Sequence, residues 1–219
     1  GLRDTKVTGN INSLNGLKDL VGFDFCGINI NGNISCLRNA HNLTLIGLSN
    51  TNVFGDFASL KSLVHLTDIG IENTNVICNI ENVKPFKTLN RLYMNNFYTS
   101  GSLCNLCKLQ NITVLRLYSK RISGSIGFLR KLRNLHELCL SETSVYGDIG
   151  YLSEMKNLII LKLGGTNVSG DISSLNILTN LQILYLNHTK VSGDIICLKN
   201  LQNLRYLSIT LSKITGNEL

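Results

Sequence analysis

Pairs of apolar residues, separated by one residue, recur along the whole chain at a fixed interval. The first pair is Phe23-Asp24-Phe25, and the first members of successive pairs lie 23 residues apart. These first members are Phe23, Ile46, Ile69, Leu92, Leu115, Leu138, Leu161, Leu184 and Leu207. Because the interval never changes, the pattern predicts one solenoid of stacked turns and leaves no stretch of sequence for a second domain.

Within each unit the spacing of the apolar positions changes from two to three. Residues 161–181 read Leu-x-Leu-x-x-Thr-x-Val-x-Gly-Asp-Ile-x-x-Leu-x-x-Leu-x-Asn-Leu. Spacing of two places side chains on one face of a short strand, whereas spacing of three suits a 3₁₀ turn. A single turn of this kind cannot bury its own apolar edge, so the pattern predicts a parallel solenoid whose core lies between stacked turns.

Small and polar columns occupy the corner between strand and turn. A Gly in nearly every unit indicates a corner with positive φ or close backbone approach. The next column holds Asp56, Asp148, Asp171 and Asp194, with Asn or Ser in other units. Stacked carboxylates are a possible Ca²⁺ site, but Asp, Asn and Ser all bond local backbone amides, so we predict capping of the turn.

A column of threonines comes just before the corner, at 51, 74, 143, 166 and 189. Regular hydroxyls on a flat face are typical of ice-binding solenoids. However, each Thr is followed two residues later by an apolar core position. We therefore predict that these hydroxyls are buried and bond the backbone of the neighbouring turn.

The unit resembles that of the leucine-rich repeat family. The family's Leu-x-x-Leu-x-Leu-x-x-Asn-x-Leu segment is matched by Leu135-x-x-Leu138-x-Leu140-x-x-Thr143-x-Val145, with Thr in place of Asn. The Val-x-Gly-Asp-Ile stretch resembles an element of plant-type repeats, and the Thr versions are similar to repeats of microbial surface proteins. The family's cysteine-rich cap is visible at neither end.

The resemblance implies an α/β fold, a right-handed horseshoe. It implies a parallel β-sheet of about nine strands on the concave face and short 3₁₀ or irregular turns on the convex face. Residues 1–219 are then one domain of about nine and a half repeats, and we expect it to be a fragment of a longer array.

Composition and charge narrow the function classes. With 43% hydrophobic and 16% charged residues the chain buries a core, and disorder is excluded. Its apolar runs are too short to span a membrane, and no charged-then-apolar leader opens the chain, so we expect any signal peptide to have been removed. The net charge is +7, but the basic residues form no run, and we predict no nucleic-acid partner.

The seven cysteines suggest neither a closed disulfide framework nor a metal site. Cys104 and Cys107 form a lone Cys-x-x-Cys with no second ligand pair, so we expect two thiols on the outer face. Cys78 and Cys104 lie in adjacent turns and are the one pair worth testing for a disulfide. We predict no metal and no cofactor.

Catalysis is not expected either. Cys139 lies between Arg116 and Lys162 in the strand column, which predicts a stabilised thiolate. A base is needed as well, and His136 has no orienting acid. The chain is therefore predicted not to be an enzyme.

The best candidate site is the exposed face of the strands, because side chains on a strand alternate between the core and the open face. Stacking brings Tyr, Arg and Lys side chains together there, a composition typical of binding hot spots, although a passive solvated face is an open alternative. The predicted binding residues are Arg91, Tyr93, Arg116, Tyr118, Glu137, Lys162, Tyr185 and Tyr206.

The sequence thus predicts a domain that binds a protein or glycan at this face, secreted or on a cell surface. Two alternatives stay open: a filament formed through uncapped apolar ends, and a cytoplasmic location, given the unpaired cysteines. Glycosylation requires a secreted eukaryotic protein. The possible sites are Asn33, Asn42, Asn111, Asn167 and Asn187.

Overall fold

The computed structural model describes residues 5–216. In each turn the chain runs through a strand of one sheet, a strand of a second sheet and a short 3₁₀ helix. Every strand pairs in parallel with the equivalent strand of the next turn, so the described residues form the predicted solenoid.

The first sheet contains the Leu-x-Leu pairs and has nine strands among the described residues. Its register follows the repeat, because Leu115 lies beside Leu138 and Leu138 beside Leu161. We call its outward side the concave face. The strands are β2 Gly22–Asp24, β4 Leu45–Gly47, β6 Asp68–Gly70, β8 Arg91–Met94, β10 Val114–Leu117, β12 Glu137–Cys139, β14 Ile160–Lys162, β16 Ile183–Tyr185 and β18 Tyr206–Ser208.

A second parallel sheet, of ten described strands, lies beside the first, and the sequence pattern did not predict it. Each of its strands carries few inward apolar residues, so the period of two that signals a strand is weak there. The strands are β1 Thr8–Asn10, β3 Asn29–Asn33, β5 Asn52–Asp56, β7 Asn75–Asn79, β9 Thr99–Ser102, β11 Ile122–Ser125, β13 Ser144–Asp148, β15 Asn167–Asp171, β17 Lys190–Asp194 and β19 Lys213–Thr215.

Helical structure in residues 5–216 is limited to short 3₁₀ helices, as the spacing of three predicts. Their bounds are Ile11–Leu14, Ile34–Leu37, Phe57–Leu60, Ile80–Val83, Leu103–Leu106, Ile126–Leu129, Ile149–Leu152, Ile172–Leu175 and Ile195–Asn200. The predicted capping is confirmed, since Asp171 Oδ1 accepts a hydrogen bond from the Ser173 amide at 2.8 Å, and Asp148 caps the preceding helix in the same way.

The glycine column exists because of these caps. Gly170 has φ +102°, and a Cβ there would lie 2.6 Å from the Asp148 cap oxygen of the preceding turn. The same holds at Gly193, where a Cβ would lie 2.6 Å from Asp171 Oδ1. A glycine therefore meets two demands at this corner, the left-handed backbone and the space for the previous cap.

The threonine column is buried as predicted, but its hydrogen bonds were predicted wrongly. Thr143 Oγ1 donates to the Leu140 carbonyl at 2.6 Å, which is in its own turn, and Thr51, Thr166 and Thr189 do the same three residues back. The hydroxyls close the bend after each strand. Because they are buried, they cannot form an ice-binding surface, and that alternative is wrong.

Asparagines form much of the bonding between turns. The Asn157 side-chain amide donates to the Arg133 carbonyl of the preceding turn at 3.1 Å, and Asn134 and Asn180 make the equivalent bonds. This column is the Asn of Leu-x-Asn-Leu in the sequence, but the sequence pattern did not predict its hydrogen bonds. Its exposed position distinguishes it from the buried threonines.

We expect Thr143→Val to lower the free energy of unfolding by about 1–3 kcal/mol, because it leaves the buried Leu140 carbonyl without its hydroxyl donor. Guanidinium denaturation measures this. Ser144→Ala is the control, since the Ser144 hydroxyl is exposed, and we expect a loss of about 0.5 kcal/mol or less. Equal losses for the two variants would contradict the role of the buried hydroxyl.

Candidate functional site

The strand register aligns five of the side chains on the concave face in one column. Tyr93 lies beside Arg116, Arg116 beside Cys139, Cys139 beside Lys162, and Lys162 beside Tyr185. Neighbouring strands of a sheet are about 4.8 Å apart, so these side chains are neighbours along the column. The stacking that the sequence predicted along this column is therefore present.

Within this column, Arg116 and Lys162 each contact an aromatic ring. The Arg116 guanidinium binds the Glu137 carboxylate through Nε and Nη2, with Nη2 3.0 Å from Oε2, and lies 5.2 Å from the centre of the Tyr93 ring. Further along, Lys162 Nζ lies 5.0 Å from the centre of the Tyr185 ring. Arg116 is thus held by an ion pair on one side and a ring on the other, which fixes its orientation without a ligand.

The other predicted residues lie around this column. Arg91 pairs with Asp68, with Nε 2.5 Å from Oδ1. Tyr206 is exposed on the last described strand of the sheet. Tyr118 lines a separate depression that also contains Phe97. The structure therefore brings Tyr93, Arg116 and Glu137 together most closely, and it places Tyr118 in a second surface feature.

The predicted thiolate at Cys139 is wrong. The pKa of this thiol is raised to about 12, first by burial and then by Glu137, which acts through its charge and by accepting a hydrogen bond from Sγ at 3.2 Å. The cations Lys162 and Arg116 lower the pKa, but by less. The sequence placed two cations beside Cys139 and missed the carboxylate that neutralises one of them.

Alkylation tests this assignment. At pH 8 we expect iodoacetamide to modify the exposed Cys104 and to leave Cys139 unmodified, because almost none of the Cys139 thiol is ionised. Glu137→Gln removes a charge that raises the pKa and should speed alkylation of Cys139. Peptide mapping by mass spectrometry distinguishes the sites, and rapid modification of Cys139 in the folded wild type would contradict the assignment.

The concave face contains a hollow of about 370 Å³ that the sequence pattern did not predict. Its floor is Gly47 on β4 and Gly70 on β6, which have no side chains in the column between Asp24 and Tyr93. Glu72 forms part of the wall. Two adjacent glycines in a strand column were the available signal, because a strand interior usually carries side chains.

The carboxylates around this hollow differ in their partners. Asp68 is bonded at both oxygens, by Arg91 at Oδ1 and by the Thr67 hydroxyl at Oδ2, at 2.7 Å. Glu72 is half-buried, and burial raises the pKa of its carboxyl group. The charge of Arg116 lowers this pKa, and the charge of Glu137 raises it. Among the described residues, the Glu72 carboxylate makes no hydrogen bond or ion pair.

Basic residues do form a cluster on the convex side, although they make no run in the sequence. Lys108, Arg130 and Lys131 line a groove of about 560 Å³ together with the rings of Phe128 and Tyr151. Stacking of adjacent turns brings them together. Basic residues that are separated in the sequence are therefore neighbours on this surface.

The possible glycosylation sites differ in exposure. Asn42, Asn111 and Asn167 are exposed, whereas Asn33 and Asn187 are half-buried. The amide nitrogen of Asn111 already donates to the Lys87 carbonyl at 3.1 Å. Asn42 and Asn167 therefore have the freest side chains of the five.

All seven cysteines are free. Cys78 is buried with Sγ 3.7 Å from Met94 Sδ, whereas Cys104 is exposed, so this pair is not bonded. In residues 5–216 no three His, Cys, Asp or Glu side chains are grouped as metal ligands. Nor does that part of the chain contain a helix long and apolar enough to cross a membrane.

The solved structures that resemble this chain include leucine-rich repeat proteins. The chain superposes on the Arabidopsis receptor kinase HAESA, in complex with the peptide hormone IDA and the co-receptor SERK1, with a TM-score of 0.81, 25% identity and 98% of the chain covered. It superposes on PEPR1, in complex with AtPEP1, with a TM-score of 0.76, 28% identity and 97% covered. The chain has the leucine-rich repeat fold.

Its leucine-rich repeats span about a third of those receptor chains, 37% of HAESA and 31% of PEPR1. A bacterial structure, internalin C2 of Listeria monocytogenes, matches with a TM-score of 0.66 and 22% identity over 91% of this chain and 82% of its own. That likeness concerns the fold. No family model and no curated protein sequence matches the chain.

Proposed function

We propose that this solenoid is a non-enzymatic recognition domain whose concave face binds a peptide or an extended segment of a protein. The observation that carries the proposal is the fixed group of Tyr93, Arg116 and Glu137 at the centre of the open sheet. Tyr and Arg dominate the energetics of protein interfaces when they are held in place before binding, because less side-chain entropy is then lost.

The comparisons support a peptide in particular. HAESA was solved with a peptide hormone and PEPR1 with AtPEP1, and both share this fold at 25% and 28% identity. A peptide is thus favoured over a glycan, which no compared structure suggests. The HAESA portion that was solved is an ectodomain, and we accordingly propose that this chain acts outside the cell or on its surface.

Selection from a random dodecapeptide phage library tests the proposal. We expect the wild-type chain to enrich peptides whose binding weakens at least tenfold on Tyr93→Ala and on Arg116→Ala, since a hot-spot truncation costs about 2 kcal/mol. The control is Arg133→Ala on the convex side, where Arg133 is exposed and lies 3.5 Å from Glu154.

Unchanged affinity of the selected peptides for the Tyr93 and Arg116 variants would place the binding surface elsewhere. Failure to enrich any peptide against the wild type would contradict peptide recognition itself. Fluorescence polarisation with the synthetic peptides measures the affinities, and far-UV circular dichroism establishes that each variant is folded.

We further propose that residues 1–219 form one domain within a longer array of repeats. Leu207 on β18 and Ile209 just after that strand are half-buried, whereas Leu184 and Leu186 one turn earlier are fully buried, so this turn has apolar surface left to cover. Sedimentation velocity over a hundredfold concentration range tests the alternative of self-association. A coefficient that rises with concentration would favour stacking of copies over a further repeat.

A further inference from the structure

We propose that a groove on the convex side binds an acidic segment of a partner protein, in which carboxylates flank an apolar side chain. The groove is the one of about 560 Å³ that Lys108, Arg130 and Lys131 line together with the rings of Phe128 and Tyr151. We call it the convex groove. It lies away from the concave face and would bind its partner independently of that face.

Two columns of the repeat change their residue type at the convex groove. The third position of each 3₁₀ helix is Ser, Asn or Cys in the other units, but it is Phe128 and Tyr151 in two successive ones. Each of these rings is 44% exposed. A second column holds Lys108 and Lys131 in successive units, with Pro before them and Glu after them. The core of the solenoid requires neither change, and exposed rings beside cations are typical of protein interfaces.

The charge of the convex groove favours an anion. Lys108, Arg130 and Lys131 form no ion pair within residues 5–216, unlike Arg116 and Lys120. Among the described residues that line the groove, none is Asp or Glu. Three exposed cations therefore lie together without compensation, and the carboxylates of a ligand would supply it.

The carboxylates nearest to the convex groove are already engaged. The helix at the groove is capped by the hydroxyl of Ser125, so its cap carries no charge, and Asp148 in the next turn is bonded as a cap itself. Glu154 lines a neighbouring depression with Lys131, but its Oε2 lies 3.5 Å from Nη2 of Arg133. The surroundings therefore leave the positive charge of the groove in place.

The Tyr151 ring is held against the neighbouring turn before any ligand binds. A Cβ on Gly127 would lie 3.0 Å from Cδ2 of this ring and 3.1 Å from Cε2, so the ring packs over the Gly127 backbone. Phe128 follows Gly127 and supplies the second ring of the groove. An apolar side chain of a ligand can bury itself against these rings, and little side-chain entropy is lost because Tyr151 is already positioned.

The small extent of the charge favours a peptide over a polyanion such as a nucleic acid. Lysine occupies its column in two successive units only, and the next residue in that column is Glu154. A nucleic acid binds through cations that follow its backbone over many phosphates. The convex groove offers three cations around two rings, which suits a few carboxylates beside one apolar side chain.

The probes are four acetylated, amidated pentapeptides: Glu-Glu-Phe-Glu-Glu, Glu-Glu-Ala-Glu-Glu, Gln-Gln-Phe-Gln-Gln and Lys-Lys-Phe-Lys-Lys. We expect the acidic Phe peptide to shift the backbone amide resonance of Gly127 in ¹⁵N–¹H spectra of the full chain. The Gln and Lys peptides should leave it unchanged, and the acidic Ala peptide should bind at least threefold more weakly. Raising the salt from about 50 to about 300 mM should weaken the acidic Phe peptide at least threefold, because exposed charges are screened. The amide of Cys139, on the concave face, should not shift.

Arg130→Glu should weaken the acidic Phe peptide at least fivefold, because it replaces attraction by repulsion, and Tyr151→Ala should remove the preference for Phe over Ala. Lys61→Glu is the matched control. Lys61 is exposed, follows a 3₁₀ helix as Arg130 does, and lies three turns away in the same column. The control changes the net charge equally and should leave the affinity unchanged. Far-UV circular dichroism establishes that each variant is folded.

Equal weakening by Arg130→Glu and Lys61→Glu would reduce the effect to net charge and overturn the site. So would an absence of shifts with all four peptides, or shifts at Cys139 without any at Gly127. Equal affinity of the acidic Phe and Ala peptides would overturn the role of the rings. A short oligothymidylate tests the polyanion: we expect it to leave Gly127 unshifted, and shifts as large as those from the acidic Phe peptide would overturn the assignment to a peptide.

Discussion

Leu138→Ala is expected to lower the free energy of unfolding by about 2–5 kcal/mol. Leu138 is fully buried on β12, between Leu115 and Leu161 of the adjacent turns. The truncation removes apolar surface and leaves a cavity that the stacked turns on either side cannot close, because each is fixed by its own ladder of hydrogen bonds.

Leu207→Ala is the matched comparison, since Leu207 occupies the same column in the last described strand and is only half-buried. We expect a loss of roughly 1–2 kcal/mol there, because less surface is buried. Guanidinium denaturation followed by circular dichroism measures both. A separate early transition in Leu138→Ala would indicate that the halves of the solenoid unfold independently, and equal losses for the two variants would contradict the burial argument.

Gly170→Ala should destabilise the chain by about 2–4 kcal/mol. Alanine at φ +102° is strained, and its Cβ would lie 2.6 Å from the Asp148 cap oxygen. The mutation thus opposes both the backbone of β15 and the capping of the preceding turn. Gly9→Ala is the control in the same column, because a Cβ there meets nothing within 4 Å and its φ is not left-handed.

A double-mutant cycle separates the two causes. Asp148→Ala alone removes the cap and should cost about 1 kcal/mol. In that background Gly170→Ala should cost less than in the wild type, because the contact with the carboxylate is gone and only the backbone strain is left. Additive losses would show that the contact contributes nothing, and a neutral Gly170→Ala would contradict the role of the glycine column.

The repeat pattern did not predict the contacts of the site that join two different columns. The column of Tyr93, Arg116 and Lys162 was predictable, because one repeat length separates its members. The ion pair between Arg116 and Glu137 was not, since it joins two different columns, and it reversed the expected chemistry of Cys139. The thiol is therefore buried and protonated instead of ionised.

The same limit explains the features that were missed altogether. A hollow depends on side chains that are absent, and Gly47 and Gly70 become a floor only once Asp24 and Tyr93 stand on either side. The convex cluster contains Lys108 and Arg130, which are separated in the sequence but lie in adjacent turns of the solenoid.

The sequence by itself determined the period, the stacking direction, the core columns and the caps, because each depends on a residue type that recurs at one spacing. Only the tertiary structure decided what lies between columns: the second sheet, the threonine bonds within each turn, the asparagine bonds between turns and the hollow beside Arg116. Repetition specifies which residues stack upon each other, whereas ion pairs, hydrogen bonds and cavities depend on side-chain directions that no one-dimensional spacing records.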